Sequence, residues 1–203
     1  MRRLDQLFYE EKDNSNTSKR IETAALSLIS QFGYANVSMR DIAKEAGVAL
    51  SQINYHYKSK EGLFIALIRH VKNSLLEDIS SRMKNTKTSQ ERIDFLCSYA
   101  RESIVNDLAI HRLHLDFSNL ALWSETFRAE YKCLIQELCE VIAEYIRDDA
   151  PMLAITRKHT PEQTAHFIIA FILGVSTQYL ADGGTEETLS SLDFLKNVLG
   201  EEK

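Results

Sequence analysis

The sequence predicts an all-α protein, a small three-helix domain on the N-terminal side followed by a larger helical bundle. Three observations lead there. Only 7 Gly and 2 Pro stand among 203 residues, too few to punctuate a many-stranded sheet protein. Apolar residues recur at helical spacing from Thr17 onwards. Each periodic run also starts and stops on residues that cap helices. With 44% hydrophobic residues the chain can bury a sizeable core.

The elements follow in order. Residues 1–16 show no sustained period and end in a polar cluster, and they read as a flexible arm or short helical extension. Ile21, Ala24, Ala25, Leu28, Ile29 and Phe32 form one stripe of a helix from about Ser18 to Phe32, which Gly33 stops. Ser38, with Asp41 three residues on, caps a short helix ending before Gly47. A second short helix covers about Leu50 to Tyr57. Ser59 caps a long one, with Leu63, Phe64, Leu67, Ile68, Val71, Leu75 and Ile79 along one face. Thr88 and Glu91 form a capping box before about 89–105. Helices at about 107–123 and 125–147 follow, and Asp148, Asp149 and Pro151 open a loop. Thr160-Pro161-Glu162-Gln163 starts a helix that ends at Asp182-Gly183-Gly184. Thr185 caps the last, to about Leu199. Nine helices and no strand are expected.

Composition narrows the function classes. Cys97, Cys133 and Cys139 lack the even count and spacing of a disulfide framework or zinc site, and they read as reduced thiols. The longest nearly unbroken apolar run, Phe167 to Val175, is about half a membrane span. No apolar signal stretch follows Arg2 and Arg3. A cytoplasmic, non-membrane protein is expected. Net charge is −5, yet residues 17–60 hold six Lys/Arg against three Asp/Glu. A small basic module on an acidic body points towards nucleic acid. No Gly-rich phosphate loop and no nucleophile-base series exists, so no catalytic residue and no cofactor is assigned. Asp107, His111 and His114 share one helix face. They lack a fourth partner, so the stripe reads as polar lining and no metal is assigned.

The informative stretch is Met39 to Tyr57. Ala43 is small where two short helices cross, Gly47 can supply positive φ for the sharp turn, and Ile42, Val48 and Ile53 plug the space beneath. An Ala, a Gly four later and a β-branched residue six after that is the spacing of a DNA-binding helix-turn-helix. The same spacing also fits an αα-corner in any helical protein. The run Ile53-Asn54-Tyr55-His56-Tyr57-Lys58-Ser59-Lys60-Glu61-Gly62-Leu63, with Gly47-Val48 before it, resembles the TetR family of bacterial repressors. Residues 17–65 carry the resemblance closely. Asn54 stands where Tyr is commonest in that family, and Ser51 where many members have Gly. More loosely, Leu115 to Tyr145 and Ala165 to Leu180, with Gly174 inside an apolar helix, are similar to its BetI-type subgroup. Members of that subgroup bind varied effectors, so no ligand is carried over.

The resemblance implies a DNA-binding domain at 17–63 and a regulatory domain for ligand binding and dimerisation at 64–203. The second short helix would enter the major groove of double-stranded operator DNA. Leu50, Ser51, Gln52 and Tyr55 would lie near base edges, Gln52 suiting adenine by chemistry. Ser38, Arg40, Tyr55, His56, Lys58 and Lys60 would face the phosphate backbone, and Asn54 is counted among the DNA-binding residues without a phosphate role. Ser38 serves equally as a helix cap, His56 as a packed helix-end residue, and Lys60 as part of the next helix start. The chain is expected to act as a repressor, a homodimer through helices 161–181 and 186–199, with Leu189, Leu192, Leu195 and Leu199 as one interface stripe. A small-molecule effector would release it from a near-palindromic operator. Candidate lining residues are Tyr99, His111, His114, Phe117, Trp123, Tyr131 and Phe171, each of which also reads as ordinary core.

Overall fold

The computed structural model describes residues 15–147 and 159–199. The arm expected over residues 1–16, apart from its last two positions, and the loop at Asp148, Asp149 and Pro151 lie outside them. Among the described residues there are ten α-helices, one turn of 3-10 helix and no strand. The helices are α1 (Ser15–Phe32), α2 (Met39–Ala46), α3 (Leu50–Tyr57), α4 (Lys60–Met83) and α5 (Ser89–Asn106). They continue with α6 (Leu108–Trp123), α7 (Glu125–Arg147), α8 (Pro161–Ala181), α9 (Glu186–Ser190) and α10 (Leu192–Leu199).

The expected last helix is therefore two. Ser190 and Ser191 hydroxyls donate back to the carbonyls of Glu187 and Thr188, at 2.7 and 2.6 Å. They compete with the helix ladder for those acceptors, and the ladder breaks there.

The chain divides into two compact units. The first is Met1–Ser74 with Asp107–Tyr131. Its core takes Ile21, Ala25 and Ile29 from α1, Ile42 from α2, Ile53 from α3, and Leu63, Phe64 and Leu67 from α4. α1 packs against both α2 and α6. Phe32, placed on the buried stripe by its spacing, is 57% exposed. The chain turns away one residue later at Gly33, where φ is 82°.

An aromatic cluster fills the other end of this unit. Tyr34 and Phe64 rings lie 4.6 Å apart, Phe64 and Phe127 5.8 Å, and Phe117 and Tyr131 5.5 Å. The Tyr34 N–H donates to Asp116 at 2.7 Å and Arg112 to the Ser30 carbonyl at 3.4 Å, so α6 is tied to the end of α1.

The second unit is Leu75–Asn106 with Lys132–Lys203. Ala100, Ile104, Val175, Leu189 and Leu192 form a buried cluster, with Phe171, Ile172 and Tyr179 packed against it. Arg101 donates to Glu186 at 2.6 Å across α5 and α9. Helix α8 is long and apolar enough, by length and composition, to cross a membrane, more than the short Phe167–Val175 run suggested. Here it packs against α5, α9 and α10, with only 33% of its apolar window buried.

Leu189, Leu192, Leu195 and Leu199 do not form an outward stripe. All four are buried in their own unit, at 4% exposure or less. The heptad-like spacing gave one apolar face correctly, but that face is spent inside the subunit. The outward apolar residues of these helices are Phe167, Phe194 and Val198.

Candidate functional site

The turn between α2 and α3 is built by caps at both ends of α2. The Ser38 hydroxyl accepts from Asp41 N–H at 3.2 Å, and the Asp41 carboxylate accepts from Ser38 N–H at 2.9 Å. The Ser38 hydroxyl also donates to the Asp41 carboxylate at 2.6 Å, and this bond first, with the Ser38 N–H second, holds the Asp41 carboxyl below its ordinary range. At the other end Gly47 adopts φ 62°, ψ 39°. Gly47 N–H donates to Lys44 O and Val48 N–H to Ala43 O, the paired bonds of a Schellman ending. Ala43 and Ile42 are buried, as the helix-crossing reading expects.

Two further carbonyls at that ending, those of Ala46 and Gly47, find their donor on α1. Arg20 Nη2 donates to Ala46 O at 2.6 Å and to Gly47 O at 2.9 Å. Sequence reasoning missed this arginine, because nothing in its local pattern marks it as reaching a turn 26 residues away.

Helix α3 is only two turns long, which is marginal on its own. Its anchor is Ile53, fully buried; burying such a side chain stabilises by about 1.5–3 kcal/mol. Ser51, Gln52, Asn54, Tyr55 and His56 are exposed and Leu50 is half-buried. Tyr55 reaches 83% exposure. Arg40 and Ser38, on α2, are exposed too. Gln52 does not stand free: its Oε1 accepts from Ala49 N–H at 3.0 Å, closing the helix start. Its Nε2 and the second Oε1 lone pair remain for another partner.

The end of α3 is fastened to α1. Tyr57 O–H donates to Glu22 at 2.9 Å, and burial followed by the Glu22 charge raises its pKa. Glu22 also pairs with His70 of α4 at 3.2 Å. Ser18 Oγ lies 3.4 Å from His56 Nδ1, so the packed reading of His56 has a partner in the fold.

The link from α3 to α4 is tight. Lys58 has φ 62°, ψ −42°, the one non-glycine residue with positive φ among those described. Ser59 N–H donates to Tyr57 O at 2.6 Å, closing a γ-turn of the rare, strained kind. The Lys58 side chain projects outward.

Lys60 behaves otherwise, and its expected phosphate role needs correction. Its Nζ donates to Tyr34 O and sits 4.2 Å from the centre of the Tyr34 ring. Burial lowers its pKa, partly offset by Asp116. A cation in the first turn opposes the helix dipole, and here it folds back onto an aromatic face and a carbonyl instead.

The effector candidates fall into both units. His111, His114, Phe117, Trp123 and Tyr131 belong to the first, Tyr99 and Phe171 to the second. His114 Nε2 lies 3.2 Å from Tyr131 Oη, with the rings 5.7 Å apart, and Tyr131 abuts Phe117. Phe117 itself is fully buried within the aromatic cluster. His111 and Tyr99 are buried, and Phe171 stacks on Phe167 at 6.2 Å. Trp123 is a correction. At the end of α6 its ring is 83% exposed, so it walls nothing inside the subunit. Among the described residues no three metal-binding side chains gather around one point, so the Asp107–His111–His114 stripe does not converge.

His114 Nδ1 is buried without a hydrogen-bond partner, and burial lowers the His114 pKa from 6.5 to about 4. In the unfolded chain this imidazole protonates first, so stability should fall as pH drops from about 6.5 to about 4 and level off below. The contribution at stake is about 3 kcal/mol. Denaturant melts of His114→Leu should show a shallower loss over that window than the parent. Identical pH profiles would contradict the burial argument.

Comparison with known proteins adds the following. Residues 21–67 match the family model described as bacterial regulatory proteins, tetR family. The HTH-type transcriptional regulator RutR of Escherichia coli K12 is 29% identical over 178 residues, covering 83% of this chain and 75% of that protein. Among solved structures, a transcriptional regulator from Saccharomonospora viridis in complex with choline superposes with TM-score 0.77 at 20% identity. It covers 91% of this chain and 97% of its own. FadR from Bacillus subtilis, in complex with stearoyl-CoA, gives 0.75 at 17% identity, covering 91% and 98%. At those identities the structural likeness concerns the fold.

Proposed function

We propose, for a chain that belongs to the TetR family of bacterial transcriptional regulators, that it is a cytoplasmic homodimeric repressor. It would bind a near-palindromic operator and be released by a small-molecule effector. The observation that carries the DNA reading is the outward face of α3. One residue of the helix is fully buried, and Ser51, Gln52, Asn54, Tyr55 and His56 all face solvent. A short helix held by one plug and presenting a polar face suits the major groove. Leu50, Ser51, Gln52 and Tyr55 are assigned to base edges, Ser38, Arg40, Tyr55, His56 and Lys58 to phosphates, and Asn54 to the same face without a stated partner.

Release requires an effector that binds the two conformations with different affinity, since equal affinity shifts nothing. Only Lys58 and Ser59 separate α3 from α4, and the strained turn lies between them. A tilt of α4 would therefore be passed to α3 with little slack. The His114–Tyr131 pair is the effector contact we favour within the first unit, with Tyr99 and Phe171 as candidates in the second. The relatives crystallised with choline and stearoyl-CoA make small-molecule control a reasonable expectation but assign no ligand here.

The test uses a duplex selected by the wild-type protein from a random pool, and a scrambled duplex. Lys58→Ala should reduce the salt slope of binding by roughly 0.9 on both, whereas Lys60→Ala should leave the slope unchanged. Gln52→Ala should alter preference at one position per half-site, by about 1–3 kcal/mol. Selection of no preferred sequence at all would sink the proposal. An unchanged preference in Gln52→Ala would sink the assignment of that residue.

A further inference from the structure

We infer that Arg20, a residue of α1, is a positioning residue for sequence recognition: it sets the angle at which α3 leaves the turn. The inference rests on reading α3 as the recognition helix. The paired bonds of the Schellman ending satisfy the carbonyls of Ala43 and Lys44 but leave those of Ala46 and Gly47 without a backbone donor. One guanidinium nitrogen takes both, at 2.6 and 2.9 Å. These are charge-assisted bonds, at the end of α2 where the helix dipole favours a cation.

Gly47 is the second observation. Beyond its φ of 62°, a Cβ there would lie 2.9 Å from Arg20 Nη2. The glycine thus keeps open the place that the arginine occupies. Val48 and the N-cap Ala49 are all that separate Gly47 from Leu50, so the direction in which the chain leaves Gly47 fixes where α3 starts. Arg20 needs no contact with DNA for this, because it acts through the turn. A lysine would keep the charge and the donors, but its ammonium ends a flexible stem without the rigid planar group that fixes the direction of Arg20 Nη2.

The experiment compares Arg20→Gln, Arg20→Lys, Gly47→Ala and the double variant Arg20→Gln/Gly47→Ala. The probes are the duplex selected by wild type and its scrambled counterpart. Both arginine variants should bind the selected duplex about tenfold more weakly, because binding must then reorder a turn that is no longer held. Melting temperatures should fall by roughly 3–6 °C, the cost of about one charge-assisted bond lost from the fold, and binding to the scrambled duplex, measured well below the melting point, should hold its salt slope. Because alanine at 47 already displaces the arginine, the double variant should lose less affinity than the two single losses combined. Full rescue by Arg20→Lys, a salt slope lowered by roughly 0.9, or additive losses would each overturn the inference. If wild type itself does not distinguish the two duplexes, the recognition-helix reading fails instead, and the arginine variants are not its cause.

Discussion

Replacing Gly62 with alanine is expected to be among the most damaging single changes in the N-terminal unit. A Cβ at this position would lie 2.3 Å from the Tyr57 carbonyl oxygen and 3.4 Å from its carbonyl carbon. The obstacle is backbone, and that backbone is held three ways. Tyr57 O accepts from Ser59 in the strained turn, the Tyr57 side chain is bonded to Glu22, and Gly62 N–H donates to Ser59 Oγ at 3.0 Å. No flexible side chain can move aside. Overpacking against fixed atoms costs about 3 kcal/mol, equivalent to a fall in melting temperature of roughly 6–12 °C for a chain this long. The clash lies at the junction of α3 and α4, so selective duplex binding should be lost even below the new melting point. Thermal melts monitored by circular dichroism, with duplex binding at low temperature, check both parts. A melting temperature within about 2 °C of the parent would show that the junction relaxes cheaply.

Gly62 illustrates what the sequence does and does not disclose. Its place in the run Lys60-Glu61-Gly62-Leu63 supports the family resemblance, yet nothing local says that a carbonyl five residues earlier fills its Cβ position. Helix ends were legible wherever a cap is made by near neighbours: Ser38 with Asp41, Gly47, and Thr160 with Gln163 all behave as their spacing predicts. Facing was less so. Periodicity identifies an apolar face but not which side of a subunit boundary covers it, which is why Leu192 and Leu195 turned inward. Long-range polar contacts were illegible. Arg20 on the α2–α3 turn, Glu22 between Tyr57 and His70, and Lys60 on Tyr34 all join residues far apart in sequence, and no local pattern records such pairs. The outward face of α3 was readable because exposure follows from helix position around the buried Ile53. The effector candidates were chosen by residue type alone, and Trp123 shows the weakness of that choice.

Introducing Glu at both Phe167 and Phe194 is expected to convert the proposed dimer to monomers and remove tight operator binding. The argument starts from cost. Phe167 is 46% exposed, Phe194 58% and Val198 38%, on two neighbouring helices of one unit. Gly174 lies inside α8, where glycine costs about 1 kcal/mol relative to alanine, yet a Cβ there would meet nothing within 4 Å. The subunit's own packing does not demand that glycine. Ala170, one turn before it, is exposed as well. Small residues following an exposed phenylalanine on the same helix suit close approach of a second copy across a two-fold axis, where each residue meets its mate or a neighbour of it. Charges at the two phenylalanines would be buried unpaired against their symmetry mates, which association cannot offset. Each position is outward in the monomer, so circular dichroism should be unchanged and the melting temperature should lose only the part that depends on protein concentration. A monomeric half-site binder forfeits the effective concentration that linked half-sites confer, about 10²–10⁴ in affinity. Light scattering at micromolar protein should therefore report half the wild-type mass, and binding to a two-half-site duplex should fall to that of a single half-site. A wild-type protein already monomeric in that assay, or a variant that remains dimeric, would move the interface away from α8 and α10.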